Sequence, residues 1–306
     1  MFDYKKFIKS RTLRIKILHL LDWVPDSIML RAQYFLKTGR ILHLKNPQRY
    51  TEKLQWYKLY YKDPLMAQCV DKYEVRKYVE KCGLGYILNE CYGVFDRAED
   101  VDFDKLPNSF VLKDTLGGGG NDVIIVKDKT KENLTAIKKQ LMQWVARPST
   151  GKNSGREWVY ENKKHRILIE KNLLQPGVSD LPDYKFFCFN GKVFCSYLMQ
   201  NYTFHHDKGE LGFLDRNFNL IPAHRTDFAP LVGQPSKPHN YEQMVQYAEL
   251  LGKSFPAVRV DFYNINDQII FGELTFFTAS GYLEFSPDEF DFTLGKQFVL
   301  PRKTGE

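Results

Sequence analysis

An α+β fold is the architecture this sequence predicts, and three observations predict it. Helical periodicity runs through residues 1–85, short strands begin from Ile87, and hairpin dipeptides such as Asn190-Gly191 join strands directly. A chain of 306 residues with 43% hydrophobic content can bury a sizeable core, enough for two domains or one domain with large lobes. Composition and period divide it into a helical region (1–85), an α+β unit around a glycine run (86–165) and a second α+β unit (166–306).

The elements follow in order. Residues 1–45 read as helical and basic, with Phe7, Ile8, Leu13, Ile17, Leu18 and Leu21 at approximate helical spacing. Such a stretch either packs on the protein body or touches an anionic membrane surface. In NPQRYTEKLQWYKLYYKDPL, Thr51 reads as a helix cap, Leu54, Trp56, Tyr57 and Tyr60 fall inside the helix, and Pro64 breaks it; a second helix spans 71–81. Strands come next in YILNECYGVF, FVLK and VIIVK, then a helix over 131–145 and a polar segment, ARPSTGKNSGRE, that reads as a mobile loop. RILIEKNLL, YKFFCFNGKVFCSYL, AVRVDFYNIN and QIIFGELTFF are the remaining strands, with hairpin turns at Asn190-Gly191 and Asn266-Asp267 and an amphipathic helix over 240–253.

Charge and cysteine usage exclude several function classes. The formal net charge is +7, with Lys and Arg dispersed among Asp and Glu, which suits an anionic partner such as a nucleotide or an acidic glycan and argues against nucleic acid. Cys69, Cys82, Cys91, Cys188 and Cys195 show neither CxxC pairing nor zinc-finger spacing to His, so reduced thiols are expected. The early apolar run IKILHLLDWV is broken by Lys16, His19 and Asp22 and is far shorter than the roughly 20 residues of a membrane span; neither a transmembrane helix nor a signal peptide is expected.

Two stretches carry chemistry. In FVLKDTLGGGGNDVIIVKD, a strand delivers Lys113, Gly117, Gly118, Gly119 and Gly120 follow, and a second strand returns. Neither GxxxxGK[ST] nor GxGxxG fits. What remains is a hairpin tip without side chains, whose N–H groups can close over polyphosphate oxygens beside the Lys113 charge, or else an ordinary flexible hairpin. In VRVDFYNINDQIIFGELTFF, Asp261 lies on one strand and Glu273 on the returning one, with Thr275 on the same face as Glu273. Two neighbouring buried carboxylates repel unless a cation lies between them: either magnesium, or a structural partner such as Arg259 or a lysine.

Other features read as structural. Asp102-Phe103-Asp104 has a DxD spacing but precedes a proline turn, as a solvated connector does. His205 and His206 fall in a polar loop, Arg156, Trp158 and Tyr160 read as one face of a strand, and Arg147 and Lys152 read as surface charges.

The order of Lys113, glycine run, RILIEK, DYKFFCFNGK, RVDFYN and GELTF is similar to that of ATP-grasp enzymes. The fuller run, from NPQRYTEKLQWYKLYYKDPL through DKYEVRKYV, LPNSFVLK, REWVYENKKHRILIEK, LPDYKFFCFNGK and VRVDFYN to FGELTF, resembles the TupA-like branch over residues 35–301. That branch is associated with teichuronopeptide and capsular or surface polysaccharide biosynthesis, and its members are often labelled glycosyltransferases. The resemblance implies an ATP-grasp fold, two α+β subdomains clasping ATP, with a helical N-terminal extension.

Residue by residue, it implies that Lys113 and Arg76 contact ATP phosphates while the glycine run closes over them. Glu170 would face the adenine amine, with the backbone of Lys171 and Leu173 reading the ring edge. Asp183 and Lys185 would lie near the ribose and triphosphate. Asp261, Glu273 and Thr275 would hold Mg2+, and Arg259 would face the oxyanion of a tetrahedral intermediate. The chain departs from the family's KxNHGSGG pattern by placing Leu116 and Gly118 where a histidine and a serine stand, and FFTASG lacks the proline that often follows the acids. The implied activity is ATP-dependent ligation of a carboxylate to an amine through an acyl phosphate, acting on an acidic glycan or glycan precursor. The implied location is cytoplasmic, with peripheral contact to the inner membrane or to polysaccharide assembly machinery as an open extension. A glycosyltransferase, an ATP-grasp kinase and a binding module with a dead ATP site remain the alternatives.

Overall fold

The computed structural model describes residues 17–118, 122–174, 178, 180–203 and 209–305. Helices α1 (Asp26–Thr38), α2 (Tyr50–Tyr60), α3 (Pro64–Cys69) and α4 (Val75–Lys81) precede β1 (Cys91–Phe95), β2 (Phe110–Asp114), β3 (Val123–Val126), α5 (Leu134–Val145) and β4 (Ile167–Lys171). There follow β5 (Asp183–Phe189), β6 (Lys192–Gln200), β7 (Glu210–Asp215), β8 (His224–Arg225), β9 (Ala229–Pro230), α6 (Tyr241–Gly252), β10 (Ala257–Ile265), β11 (Gln268–Thr275), β12 (Phe285–Ser286) and α7 (Glu289–Gln297). Strands β1-β4-β2-β3 form one sheet, β11-β10-β5-β6-β7-β9 a larger one, and β12-β8 a small third one. The α+β expectation holds.

Each main sheet has its own core. Ile137, Leu141 and Trp144 of α5 cover Phe110, Leu112, Ile167 and Ile169 of the four-stranded sheet. The six-stranded sheet shares one core with α6 and with the early helices, where Leu54, Tyr57, Met66 and Val79 meet Phe186, Phe187 and Val260. Burying this apolar area is the main driving force for joining helices and sheet.

Polar side chains move several element boundaries from where periodicity puts them. Thr51 is not a cap: α2 starts at Tyr50, and the Thr51 amide and hydroxyl both donate to Asp291 of α7, at 3.0 and 2.8 Å. Pro64 opens a helix as well as ending one, because Asp63 accepts from the Leu65 amide at 2.9 Å and proline is well suited to the first helical turn. Asp71 accepts from the amides of Tyr73 and Glu74 at 2.9 and 3.0 Å, which holds a turn and delays α4 to Val75.

Further corrections concern loops. Tyr86 and Ile87 lie in a 3-10 turn rather than a strand, and Trp158–Tyr160 is also 3-10, so Arg156, Trp158 and Tyr160 are not one strand face. The segment after α5 is tied down: Lys152 and Arg156 both pair with Asp26, at 2.6 and 3.0 Å, and Arg156 is buried. Lys152 is thus an anchor rather than a loose surface charge. Strands β7, β8, β9 and β12 and helix α7 have no counterpart in the sequence reading. His205 and His206 lie outside the described residues, as do Phe7, Ile8 and Leu13.

The two hairpin turns are where the sequence puts them. Asn190 and Gly191 (φ 49° and 74°) and Asn266 and Asp267 (φ 49° and 62°) take the positive φ that a two-residue hairpin needs. The five cysteines are free. Among the described residues no helix is long and apolar enough to cross a membrane.

Helix α7 locks onto the start of α2. Lys53 Nζ donates to the carbonyls of Gly295 and Phe298, both at 2.8 Å, and any side chain at Gly295 would collide with the Gln48 backbone. Gly295→Ala is therefore expected to destabilise the fold by about 1–3 kcal/mol through overpacking against backbone that has nowhere to move. Thermal unfolding checks this, and an unchanged melting temperature would show that α7 is not held as described.

Candidate active site between the two sheets

Strand register builds the site. Across the six-stranded sheet, Lys185 on β5 pairs with Asp261 on β10, and Asp261 pairs with Glu273 on β11. The neighbouring rows place Asp183 beside Tyr263, and Arg259 beside Thr275. Alternation along each strand then puts Asp183, Lys185, Arg259, Asp261, Tyr263, Glu273 and Thr275 on one face. A bulge at Gly272 resets the register just before Glu273: Asp261 opposes Glu273 while Phe262 opposes Phe271. A Cβ at Gly272 would press on the Asp261 carbonyl at 3.0 Å, so the bulge favours a glycine.

The charges on this face are closely interlocked. Arg259 binds Asp261 through Nε at 2.7 Å and Nη2 at 2.6 Å, and the same Nη2 reaches Glu273 at 2.9 Å and the Thr275 hydroxyl at 3.0 Å. Thr275 donates to Glu273 at 3.0 Å. Lys185 Nζ meets Asp261 at 2.6 Å and Asp183 at 2.5 Å. Thus the two acids are brought together as expected, and Arg259 and Lys185 are the cations found between and beside them.

Protonation follows from these contacts. Burial pushes Asp183 up to about 6, against the pull of Lys185. Burial also acts to raise Glu273, but Arg259, Lys72 and Lys185 prevail and hold it down to about 2. Burial acts to lower Arg259 and Lys185; Asp261 for the one, and Asp183 with Asp261 for the other, more than reverse that, and both cations are held well above their ordinary values.

The four-stranded sheet supplies the opposite wall. Glu170 on β4 and Lys113 on β2 share a face, because Lys113 pairs with Leu168, two residues before Glu170. Lys113 Nζ contacts Glu170 at 2.7 Å and Arg76 Nη1 contacts it at 3.3 Å, while Arg76 Nη2 donates to the Asn89 carbonyl at 2.9 Å. Burial opposes the charge on Lys113, and Glu170, Tyr263 and Glu273 restore it, so the lysine charge sees both sheets. At the end of β4, the Lys171 amide donates to the Glu90 carbonyl and the Lys171 carbonyl accepts from Asn89, both at 2.9 Å. Beside this strand end opens a cavity of about 480 Å³, lined by Asn89, Lys171, Leu173, Ile265, Gln268 and Ile270.

At the glycine run, Gly117 and Gly118 are described, and Gly119 and Gly120 lie outside the described residues. Gly117 is needed sterically, since a side chain there would strike Asp122 and Asp114; Gly118 faces open space. Arg147 bridges the two strand ends, reaching Asp114 at 2.8 Å and Asp122 at 2.6 Å, and His165 contacts Asp114 at 2.7 Å. The expectation that Arg147 is a surface charge is therefore corrected: it clamps the base of the hairpin.

Sequence reading missed Lys72, Arg166 and Tyr263. Lys72 Nζ donates to the Gly117 carbonyl, its amide donates to the Thr115 carbonyl at 2.9 Å, and its charge acts on Glu273. DKYEVR holds two cations, Lys72 and Arg76, and spacing alone does not tell which one faces the glycine run. Arg166 pairs with Asp71 at 3.0 Å and Glu74 at 3.1 Å and so fixes that turn to β4. Asp102 accepts from the Asp104 amide at 3.1 Å and pairs with Lys105 at 3.0 Å, so the DxD spacing forms a capped turn, as expected.

The profile described as TupA-like ATPgrasp matches residues 52–299. Among solved structures, the D-alanine–D-alanine ligase of Bacillus anthracis is 20% identical with a TM-score of 0.41, over 68% of this chain and 57% of that one. The D-alanine–D-alanine ligase of Helicobacter pylori is 16% identical with a TM-score of 0.42, over 77% and 60%. The ATP-grasp ligase PsnB, complexed with a phosphomimetic variant of its minimal precursor, Mg and ADP, is 13% identical with a TM-score of 0.42, over 81% and 66%. This chain thus spans less than two thirds of the length of each of these ligases. No curated protein matches the sequence.

A pH prediction follows from Glu273. Its folded value of about 2 lies below its ordinary 4.5, so its contribution to stability is present above pH 4.5 and is lost as pH falls through 2. Melting temperatures of wild type and Glu273→Gln, compared from pH 6 to 2, should converge toward low pH. A gap that stays constant across this window would show that Glu273 is not held ionised by its neighbours.

Proposed function

Because the chain belongs to the TupA-like ATP-grasp family, we propose that it is an ATP-dependent carboxylate–amine ligase acting on a surface or capsular polysaccharide or its precursor. The carboxylate would belong to an acidic sugar, such as a uronic acid, and the nucleophile to an amine or amino acid. With ATP as cosubstrate, the proposed location is the cytoplasm. The observation that supports the reading best is the convergence of Lys113, Lys72, Lys185 and Arg259 on a face that also carries Asp261 and Glu273.

The groups present suit both ATP and magnesium. Asp261, Glu273 and Thr275 offer only oxygen donors, and Glu273 keeps 39% of its side chain exposed. Among the described residues no group of three or more His, Cys, Asp or Glu side chains is placed to hold a metal ion. Two carboxylates and a hydroxyl match the oxygen donors that Mg2+ prefers, with water and phosphate oxygens completing the shell; the Arg259 guanidinium fills the space between them and would have to turn aside for an ion to enter. Bound there, the ion would supply neutralisation of phosphate charge. The cavity beside Lys171 and Leu173 would take a planar base; Glu170, which does not line it, would accept from the base amine only after giving up Lys113 or Arg76.

In the proposed reaction the γ-phosphoryl group leaves ADP for a carboxylate oxygen, the amine attacks the resulting acyl phosphate and loses its proton, and phosphate departs. Lys113, Arg76 and Lys72 would bind phosphate oxygens, Arg259 would face the oxyanion, and Asp183 with Lys185 would lie by the ribose and triphosphate. The protein's task is to hold reactants together and stabilise developing charge in a site shielded from water. For an acyl phosphate, exclusion of water also prevents hydrolysis.

Two tests follow. Lys113→Met and Glu273→Gln should each lower ATP turnover by about 10²-fold or more, with thermal unfolding retained as a fold control. Glu273→Gln is a cleaner probe than Asp261→Asn, which would strip two buried cations of their shared partner. Turnover within a few-fold of wild type in both variants would make these groups structural. ATP with magnesium should raise the melting temperature more than GTP does, because Glu170 accepts from an amine and opposes a carbonyl; equal shifts would remove Glu170 from base recognition. Phosphate released during turnover fits the ligase, whereas phosphate kept on the product would identify a kinase.

A further inference from the structure

The N-terminal element exposes an apolar surface that the ATP-side chemistry does not use. Six of the twelve large hydrophobic side chains exposed on the described protein lie between Leu20 and Ile41. Trp23 is 80% exposed, Leu20 76%, Ile41 70%, Ile28 58% and Phe35 56%. Clustering of this kind marks an interaction surface, whereas single exposed apolar residues are ordinary.

Helix α1 shows how the surface arises. Met29, Leu30, Gln33 and Tyr34 are its buried face, while Ile28, Ala32 and Phe35, at i, i+4 and i+7, form the opposite one. A helix in a soluble body needs only one apolar stripe, and this one has two. The preceding chain adds Leu20 and Trp23 just ahead of Pro25.

Charge identifies the occupant. Residues 1–16 contain Lys5, Lys6, Lys9, Arg11, Arg14 and Lys16 against a single acid, Asp3, and lead directly into Ile17 and the exposed residues. Cations next to an apolar strip with tryptophan match a bilayer boundary, where anionic headgroups take the cations, acyl chains take Ile and Phe, and tryptophan sits at headgroup level.

We propose that the exposed apolar surface between Leu20 and Ile41 docks on an anionic lipid membrane, with Trp23, Ile28 and Phe35 inserted at the headgroup boundary and the positive charge of the preceding sequence favouring anionic headgroups. One cluster of basic residues, or one apolar strip, binds a membrane only marginally; the two together bind stably. The surface would hold the enzyme on the membrane without a spanning helix. The proposal does not rest on the ligase reading.

The test uses the full chain with vesicles of phosphatidylcholine alone or mixed with phosphatidylglycerol, at low and high salt. Sedimentation should show partition into the anionic vesicles stronger by about tenfold or more, falling as salt screens the cations. Of the four tryptophans, Trp56 and Trp144 are buried and Trp158 is partly buried, so a blue shift of emission that disappears in Trp23→Phe reports insertion at Trp23. Ile28→Ser combined with Phe35→Ser changes only exposed positions and should weaken partition about tenfold with an unchanged melting temperature. Failure to bind anionic vesicles at low salt would overturn the proposal. So would binding that the double variant leaves intact, which would reduce the contact to charge alone. Protection of Trp23 from a soluble quencher without vesicles would also overturn it: if protection depends on concentration a second copy covers the surface, and if not residues 1–16 do.

Discussion

Arg259 lies between Asp261, Glu273 and Thr275, and that buried contact is the constraint on which the larger sheet depends. Asp261 and Glu273 are direct partners across adjacent strands, a placement in which two carboxylates repel. The guanidinium and Lys185 reverse the sign of that interaction. Taking these ions out of water costs several kcal/mol each, and the cost is offset only when every partner is in place. The register of β5, β10 and β11 is thereby pinned: a slip of one residue would turn the charged set toward the apolar core.

Most charges of this cluster and of the facing wall are paired within their own sheet. Asp261 is satisfied by Arg259 and Lys185, while Glu273 is tied through one oxygen and remains partly open. Opposite it, Glu170 is occupied by Lys113 and Arg76. Each wall pairs its acids with its own cations, yet each keeps cations that a polyanion could draw away from their carboxylates. Lys72 connects the walls, bonded to the glycine run and acting on Glu273. Its position depends on the Asp71 turn, which Arg166 fastens to β4.

Much of the fold was legible locally. Asn190-Gly191 and Asn266-Asp267 mark hairpins because few other residues tolerate the positive φ of that turn. Strand patterns in FVLK, VIIV and QIIFGELT were clear because branched and aromatic residues dominate them. The misread pieces are those where a side chain captured a backbone amide or where a strand has only two residues. Asp71 shortened α4 in this way, β8 and β12 are too brief to show a period, and REWVYEN imitates a strand although it forms a 3-10 turn.

What the sequence determined by itself is the inventory and its order: an α+β chain, a lysine before a glycine run, a glutamate near the end of the RILIEK strand, and two carboxylates on paired strands with an arginine two residues ahead of the first. Those follow from neighbours along the chain, where period and turn chemistry act. What only the tertiary structure decided is which charges meet. Arg147 clamps Asp114 and Asp122, Lys72 reaches the glycine run while Arg76 turns to Glu170, and Lys185 shares Asp261 with Arg259. Apart from Arg259 with Asp261, these pairs join residues far apart in sequence. Coulomb attraction depends on distance and burial, and neither exists until the two sheets and their helices have packed.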